Sequence, residues 1–536
     1  MNATPPDARR RAFLGTAGKL AALSAIAATG TAAAALPAST SNNYPFSLGV
    51  ASGSPLPDAV VIWTRILPHS PLQSLTVPAP ALALSVRWEM ARDEAFRDVV
   101  ARGVANALPE LAHSVHVDVS GLAPGHWYWY RFMLGDAVSP IGRTRTAPAA
   151  DSLPATLKLA VASCQHWEFG CYGAHRHIAA AAPDLVAFLG DYIYEWGPYR
   201  SEHPASALRT DESFTLAQYR ARYAQYKTDP DLQAAHLAAP WVVTWDDHEE
   251  ANDYAAERDE RLAPDFARRR AAAYQAFYEH MPLRLPVAPA GGFGALRIYQ
   301  RYDWGRLARL HLLDDRQYRS PQACTPPGRG GADSVYRRAC AELADPARTI
   351  LGDEQQRWLR QGLDSSPARW NILAQQTLMA QNSQLPLRRD GDGRFWTDGW
   401  DGYPQARQRL YDALQGSRAA NPLVLSGDVH SFYAASLSRQ PERPVSARNP
   451  VLASEFCGTS ITSPSRPQAR TEQYLANNPQ LHYGRSDKRG FMLLHITPAT
   501  TTTLFQALDE VRDRACGVST LATFEVRDGV AGPARI

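Results

Sequence analysis

Residues 185–189 form an unbroken apolar run, Leu-Val-Ala-Phe-Leu, that ends in Gly190 and Asp191. A run of strand length without polar alternation predicts a strand buried on both faces, as in a parallel sheet. Its last residue then delivers a carboxylate to the carboxyl edge, where such sheets hold their ligands. Residues 240–245 repeat the form and lead into Asp246-Asp247-His248-Glu249, and residues 422–427 lead into Asp428-Val429-His430. A fourth run, residues 157–163, ends at Cys164. Between these strands the spacing predicts helices over 172–182, 216–227, 265–280, 353–363 and 404–414. A hairpin is expected from 296–302 and 307–313 around Trp304-Gly305, a further strand over 371–376, and three to four more after Asp428, the last over 521–527.

The chain before this alternation reads differently. From Tyr44 to Pro148 there are short alternating segments over 60–64, 84–89, 115–119 and 127–132, punctuated by turns such as Gly121-Leu122-Ala123-Pro124-Gly125. No helix of length is predicted there, and the segment has no cysteine. The expected fold is therefore an N-terminal all-β, immunoglobulin-like sandwich over 44–148, a linker over 144–154, and an α/β domain over 155–536 with two packed sheets flanked by helices, a four-layer αββα arrangement.

A chain of 536 residues with 10% aromatic and 20% charged positions can build more than one large core. The formal charge of +3 is concentrated in the first 35 residues, which contain Arg9, Arg10, Arg11, Lys19 and Asp7. The remainder is near neutral, so nothing global points to nucleic acid. Arg9-Arg10-Arg11-Ala12-Phe13-Leu14-Gly15, followed by an Ala-rich stretch, resembles a twin-arginine export signal over residues 1–35. Its apolar run is too short and too interrupted to span a bilayer, so no transmembrane segment is expected in the mature protein. The implied location is periplasmic or secreted, with the twin-arginine export machinery as a partner. Export places six cysteines in an oxidising compartment. Cys324 and Cys340 flank a Pro- and Gly-rich segment, and a disulfide closing it would contribute about 3 kcal/mol in the chain-entropy treatment. Two free thiols in a loop is the alternative, and Cys171, Cys457 and Cys516 have no assignable partner.

Four strands ending in Cys164, Asp191, Asp246-Asp247-His248 and Asp428-Val429-His430 would converge a thiolate, several carboxylates and two imidazoles on one point. The plain alternative is that these are ordinary turn residues. Asp191 at a strand end can bridge two cations with its two oxygens, and Tyr194 returns over the turn three residues later. A phenol with a pKa of about 10 becomes a ligand only on a strongly acidic trivalent ion, which points to Fe(III); otherwise Tyr194 merely packs with Tyr192 and Trp196. His248 is placed to protonate a leaving oxygen. Arg316, after a predicted strand, reads as a phosphate fork or as a surface ion pair. The aromatic segment from Phe395 to Tyr403 either stacks a ligand or closes the core.

Gly190-Asp191-x-x-Tyr194, Trp245-Asp246-Asp247-His248-Glu249 and Ser426-Gly427-Asp428-Val429-His430, preceded by Ser163-Cys164-Gln165, together resemble the PhoD-type alkaline phosphatase family, a metallophosphoesterase branch related to purple acid phosphatases. The resemblance extends through Val61-Ile62-Trp63-Thr64-Arg65, Asp314-Asp315-Arg316-Gln317-Tyr318 and Arg489-Gly490-Phe491. It implies an exported metal-dependent phosphoesterase acting on phosphate mono- or diesters, with Fe(III) and adjacent Ca(II). Carried across, Cys164, Asp191, Tyr194 and His430 would hold the iron, with Asp191 bridging. Asp247 and Asp428, with Asn252, would supply oxygens to calcium, although Asp246 and Asp253 compete for those roles. Cys164 stands where other metallophosphoesterases carry aspartate. A phospholipase-type diesterase, or an inert envelope-binding protein, are the competing functional readings.

Overall fold

The computed structural model describes residues 44–67, 81–196, 212–285, 292–388 and 392–536. The export signal expected over 1–35 lies outside the described residues. Strands Leu157–Ala162, Leu185–Phe188 and Trp241–Val243 lie side by side and parallel, with Leu185 opposite Leu159 and Val186 opposite Trp241. Their runs lack polar alternation because both faces are covered. Val186 and Phe188 pack with Ile178, Tyr219, Tyr223 and Phe277 from the helices Gly173–Ala180, Leu216–Lys227 and Phe266–His280. Leu185 and Ala187, one residue out of phase, pack against Leu310, Ile372 and Leu423 of a second sheet.

In that second sheet Ala308–Leu312, Trp370–Ala374, Pro422–Ser426 and Ala453–Cys457 are also mutually parallel. Its outer face, including Leu373 and Val424, is covered by Leu359 and Leu363 of helix Gly352–Asp364 and by Leu410 and Leu414 of helix Pro404–Gly416. Parallel pairing puts the carboxyl ends of each set of strands on one edge. The two edges meet: the Gln376 side-chain amide donates to Thr244 Oγ1 (2.8 Å) and to the Trp245 carbonyl (2.6 Å), joining the strand ends across the sheets.

The first sheet has ten strands. Beyond the three parallel strands, one side continues through Gly490–Ile496, Thr500–Leu508, Val518–Arg527 and Val530–Arg535, and the other through Val50–Gly53, Ala59–Arg65 and Ser114–Ser120. The N-terminal segment is therefore divided. Its strands Leu84–Ala91, Val99–Ala107, Trp127–Leu134, Ala137–Val138 and Gly142–Arg145 form a sheet of their own, packed on the others through Val60, Ile62, Val86, Tyr128, Tyr130 and Phe132. The other three extend the α/β sheet, with Gly53 opposite Trp241 and the Ser54 N–H donating to the Trp241 carbonyl at 3.1 Å. Glycine is required at 53 by close approach, since a Cβ there would meet the carbonyl oxygens of Trp241 and Pro282 at 2.6 Å.

Seven strands follow Asp428, beginning at Phe432–Leu437 and ending at Val530–Arg535, more than the three to four expected. The additional ones are rich in Thr, Ser, Ala and Gly, as in Thr500–Leu508, where only alternate positions are buried and no apolar run marks the strand. Helix Pro230–Ala238 was also not anticipated, although Asp229 caps it by accepting from the N–H groups of Asp231 and Leu232 and Pro230 stands at its first position. Cys324 and Cys340 form the expected disulfide, with a Cα–Cα distance of 5.9 Å. Among the described residues no helix is long and apolar enough to cross a membrane.

Candidate metal centre

Cys164, Asp191, Asp428 and His430 all sit directly beyond the carboxyl ends of parallel strands, and all have left-handed backbone conformations, with φ of 61°, 56°, 61° and 52°. A non-glycine residue at positive φ costs on the order of 1 kcal/mol or more and persists where the surroundings over-determine it, typically at functional sites. The turns are tied together. Cys164 N–H donates to the Gly190 carbonyl at 3.0 Å and Gln165 N–H to the Asp191 carbonyl at 3.0 Å. The Glu249 carboxylate accepts from the N–H groups of Asp191 (3.0 Å), Tyr192 (2.5 Å) and Asp246 (2.8 Å), binding the Asp191 turn to the Asp246-Asp247 turn.

Ligand-type atoms of Cys164, Asp191 and His430 lie within 4.8 Å of one another, as do those of Asp191, Asp247 and His248, and those of Asp246, Asp247 and Asp428. Tyr194 Oη donates to Asp191 Oδ2 at 2.8 Å, lies 3.2 Å from His430 Nε2, and accepts from Ser463 Oγ at 2.7 Å. His430 Nδ1 is 2.7 Å from the Pro464 carbonyl, which can only accept. Nδ1 therefore carries a proton and Nε2 faces the cluster, where it offers a lone pair to a metal when the ring is neutral.

Burial, followed by the charge of Asp191, pushes the Cys164 thiol well above its ordinary value, and the same two causes push up the Tyr194 phenol. A thiolate and phenolate here need a compensating cation. Burial also raises Asp246 far above the carboxylate range and Asp428 to about 7; Arg316 opposes both shifts while the neighbouring aspartates add to them. Asp191 is the exception: burial works against its charge, but His248, His430 and the Tyr194 hydroxyl bring it down to about 2. Asp247 Oδ1 and Asp246 Oδ2 are buried and, among the described residues, accept no hydrogen bond. Orphaned carboxylate oxygens beside a thiol, a phenol and an oriented imidazole fit cations at this point.

The sequence-predicted residues are not all placed alike. Asp247 Oδ2 accepts from the Asp253 N–H (2.7 Å), leaving Oδ1 facing the cluster, whereas Asp246 Oδ1 is taken by Arg316 Nε. Asn252 is less direct, with its side-chain amide held on Glu260 Oε1 at 2.8 Å. Asp253 is turned away, accepting from Ala332 N–H at 3.0 Å. His248 stacks on Tyr194, with ring centroids 4.2 Å apart, and its Nδ1 is 2.8 Å from Glu195 Oε2. Burial would lower its pKa, but Glu195, then Asp247 and Asp191, hold it well above the usual histidine value.

Arg316 is not the surface ion pair that was the alternative for it. It is fully buried, its Nε donating to Asp246, its Nη1 to Asp398 Oδ2 (2.5 Å) and its Nη2 to Asp428 Oδ1 (3.0 Å), with Asp247 Oδ1 at 3.5 Å from Nη2. In this arrangement the guanidinium gathers those carboxylates beside the cluster. Glu195, Glu249, Asp398 and Ser463 were missed. Their function lies in partners distant in sequence, and only the place of Glu249 directly after the Asp-Asp-His triplet hinted at one. Of the rim aromatics, Trp400 and Tyr403 are buried while Trp396 is 46% exposed.

Comparison with known proteins gives a consistent set of matches. Residues 159–505 match the family described as PhoD-like phosphatase, and residues 30–148 match PhoD-like phosphatase, N-terminal domain. Alkaline phosphatase D of Bacillus subtilis (strain 168) is 42% identical over 530 residues, covering 96% of this chain and 87% of its own. A solved structure of PhoD superposes with a TM-score of 0.85 at 41% identity, covering 93% of each chain.

Proposed function

The chain belongs to the PhoD-like phosphatase family and is a phosphoric ester hydrolase, and from that premise we propose that the strand-end cluster is a mixed Fe(III) and Ca(II) centre that hydrolyses phosphate mono- or diesters outside the cytoplasm. Cys164, Asp191, Tyr194 and His430 would hold the iron, with Asp191 shared between the two cations, and Asp247 and Asp428, with Asn252 as the weakest member, would supply oxygens to calcium. The observation that carries this reading is that ligand-type atoms of Asp191 lie within 4.8 Å both of those of Cys164 and His430 and of that of Asp247, which in turn lies within 4.8 Å of that of Asp428.

Bound cations would polarise the phosphoryl oxygens and lower the pKa of a water for in-line attack. The chain's own groups do the rest. Protonated His248, oriented through Nδ1 by Glu195, presents Nε2 to the leaving oxygen and returns a proton to it. Ser463 and His430 fix the Tyr194 phenol, and Glu249 keeps the two carboxylate-bearing turns in register.

Export by the twin-arginine route, with signal residues 1–35, is supported by the Arg9-Arg10-Arg11 motif and by a disulfide that suits an oxidising compartment. The finer architecture belongs to the same reading: an immunoglobulin-like sandwich over 44–148 and a four-layer αββα domain over 155–536. Helix-to-sheet, sheet-to-sheet and sheet-to-helix cores support the layers, and the two family matches support the division.

The test is the metal content of protein exported by its own host, measured with turnover of 4-nitrophenyl phosphate and bis(4-nitrophenyl) phosphate. Iron and calcium should both be present. EGTA should abolish turnover reversibly, with recovery on Ca(II) and not Zn(II), while iron and its charge-transfer colour remain, because carboxylate-held calcium exchanges far more readily than thiolate-held iron. Full activity in colourless, iron-free protein would refute the assignment.

A further inference from the structure

Beside Asp428 the surface opens into a cleft of about 220 Å³, lined by Asp428, Val429, Arg466, Tyr474, Trp396 and Asn382 among others. At about 30 Å³ per water it holds a short-chain alcohol with one further substituent. It adjoins the proposed metal centre at Asp428, so a group bound here would extend from a phosphoester engaged at that centre.

Arg466 gives the cleft its character. Its Nη1 donates to Tyr433 Oη at 3.0 Å and Ser431 Oγ at 3.4 Å, and its Nη2 to the Val429 carbonyl at 3.4 Å. All three acceptors are neutral, and two of the contacts are long. Among the described residues no carboxylate pairs with it, whereas the buried Arg316, Arg319 and Arg407 each have an aspartate. The half-buried guanidinium also lies over the Tyr474 ring, 5.5 Å from its centroid, and Asp401, the second carboxylate on the cleft beside Asp428, is paired with Arg407; the N–H groups of Arg466 not yet engaged can therefore take an anion. Trp396, exposed on the same cleft, offers an aromatic face to the carbon skeleton between the two ends.

We propose that this cleft is the leaving-group subsite and that it selects phosphoesters whose alcohol carries a second anionic group, a phosphate or a carboxylate, which pairs with Arg466. The inference rests on the phosphatase reading of the adjoining centre. A charge-assisted contact of this kind corresponds to about a tenfold preference or more.

The experiment compares matched substrates on the metal-loaded enzyme: phenyl phosphate with 4-carboxyphenyl phosphate, and propyl phosphate with propane-1,3-diyl bisphosphate. The wild type should favour the anionic member of at least one pair about tenfold in kcat/KM, mainly through KM, and the pair that responds distinguishes a carboxylate from a phosphate. The preference should fall as salt rises from about 50 to about 500 mM. Arg466→Gln should bring the ratio close to one, and Arg466→Lys should keep part of it. A ratio near one in both pairs for the wild type overturns the proposal, as does one indifferent to salt or one that survives Arg466→Gln. Because Pro464, on the same loop, orients His430, the wild-type ratios and their salt dependence decide the matter even where Arg466→Gln is inactive. No turnover of any of the four compounds would instead overturn the phosphatase reading, and the subsite with it.

Discussion

Asp191 and Asp247 each belong to two ligand groups, while Asp246 spends one oxygen on Arg316. That difference orders three substitutions of equal size. Asp191→Asn removes the charge between two proposed cations and should lose at least one metal and most activity. Asp247→Asn should lose calcium and keep iron. Asp246→Asn should retain both metals better but unfold more easily, since it leaves Arg316 short of a buried partner, a loss of about 3 kcal/mol or more. Metal content, turnover and thermal melting of the three variants decide it, and an Asp191→Asn protein with both metals and normal turnover would end the bridging role. A second residue tests burial alone. Lys227 is buried with Nζ 4.4 Å from the Trp63 ring centroid and 5.1 Å from that of Tyr192, and burial lowers its pKa to about 7 from 10.5. Between those values the unfolded chain holds a proton that the folded chain lacks, so stability rises with pH through that window, and below about 7 the full cost of burying the charge is present. Lys227→Met should raise Tm at about pH 6 and lose that advantage by about pH 10, less the ~1–2 kcal/mol of lost cation–π attraction. A gain independent of pH would show that the ammonium is not penalised. At this scale the sequence exposed the candidate ligands because an apolar strand must stop at a turn, and a Cys, Asp or His there is conspicuous. It concealed Glu195 and Ser463, whose meaning is a hydrogen bond to a residue far along or already past in the chain, and it did not show that Arg316 is buried among four aspartates, which is a tertiary fact.

The elements that carry the site were legible for the same reason that the site is rigid. The parallel strands are apolar on both faces and announce themselves as runs, while Leu216–Lys227 and Phe266–His280, buried all round at their carboxyl ends, are marked by length and by residues that favour helix. Strands such as Val99–Ala107 and Thr500–Leu508 bury only part of one face and carry small or polar residues on the other, so their pattern blends with that of loops. The turns between strand and ligand are fixed by backbone groups rather than by pattern, and Glu249 is the clearest case. Glu249→Gln replaces one acceptor oxygen with a donor that must face a buried N–H of Asp191, Tyr192 or Asp246. Leaving one such donor unsatisfied costs about 1–3 kcal/mol. The variant should melt earlier even when stripped of metal, and should bind calcium more weakly because the Asp191 and Asp247 turns are no longer held in register. Unchanged melting and unchanged calcium titration would show that the pin is dispensable.

At the scale of the whole molecule the pattern changes from alternating strands to strands and helices near Pro148, yet the ten-stranded sheet runs through that point. Sequence could not show this, because Val50–Gly53 is only four residues long and its pairing partner, Trp241, lies 188 positions away. The continuity sets a further expectation. A chain lacking residues 1–148 keeps every proposed metal ligand but loses three strands beside Trp241–Val243, the strand that leads directly to Asp246 and Asp247. It also loses the Trp63 indole donor to the Glu279 carbonyl (3.0 Å) and the His116 ring nitrogen on the Met281 carbonyl (2.9 Å), both of which hold helix Phe266–His280 and the turn after it. The uncovered strand edge and the apolar surface that the missing strands had covered would then meet water, which favours edge-to-edge association. The truncated chain should therefore be largely insoluble, and any soluble fraction should hold less calcium than the full chain, since the Asp247 turn has lost the neighbour that braces its strand. Expression of residues 149–536 beside the full chain, with soluble yield, oligomeric state and metal content measured together, decides between an independent catalytic unit and one built on the N-terminal strands. A soluble monomer with full iron, calcium and turnover would show that the sheet's continuity has no part in forming the centre.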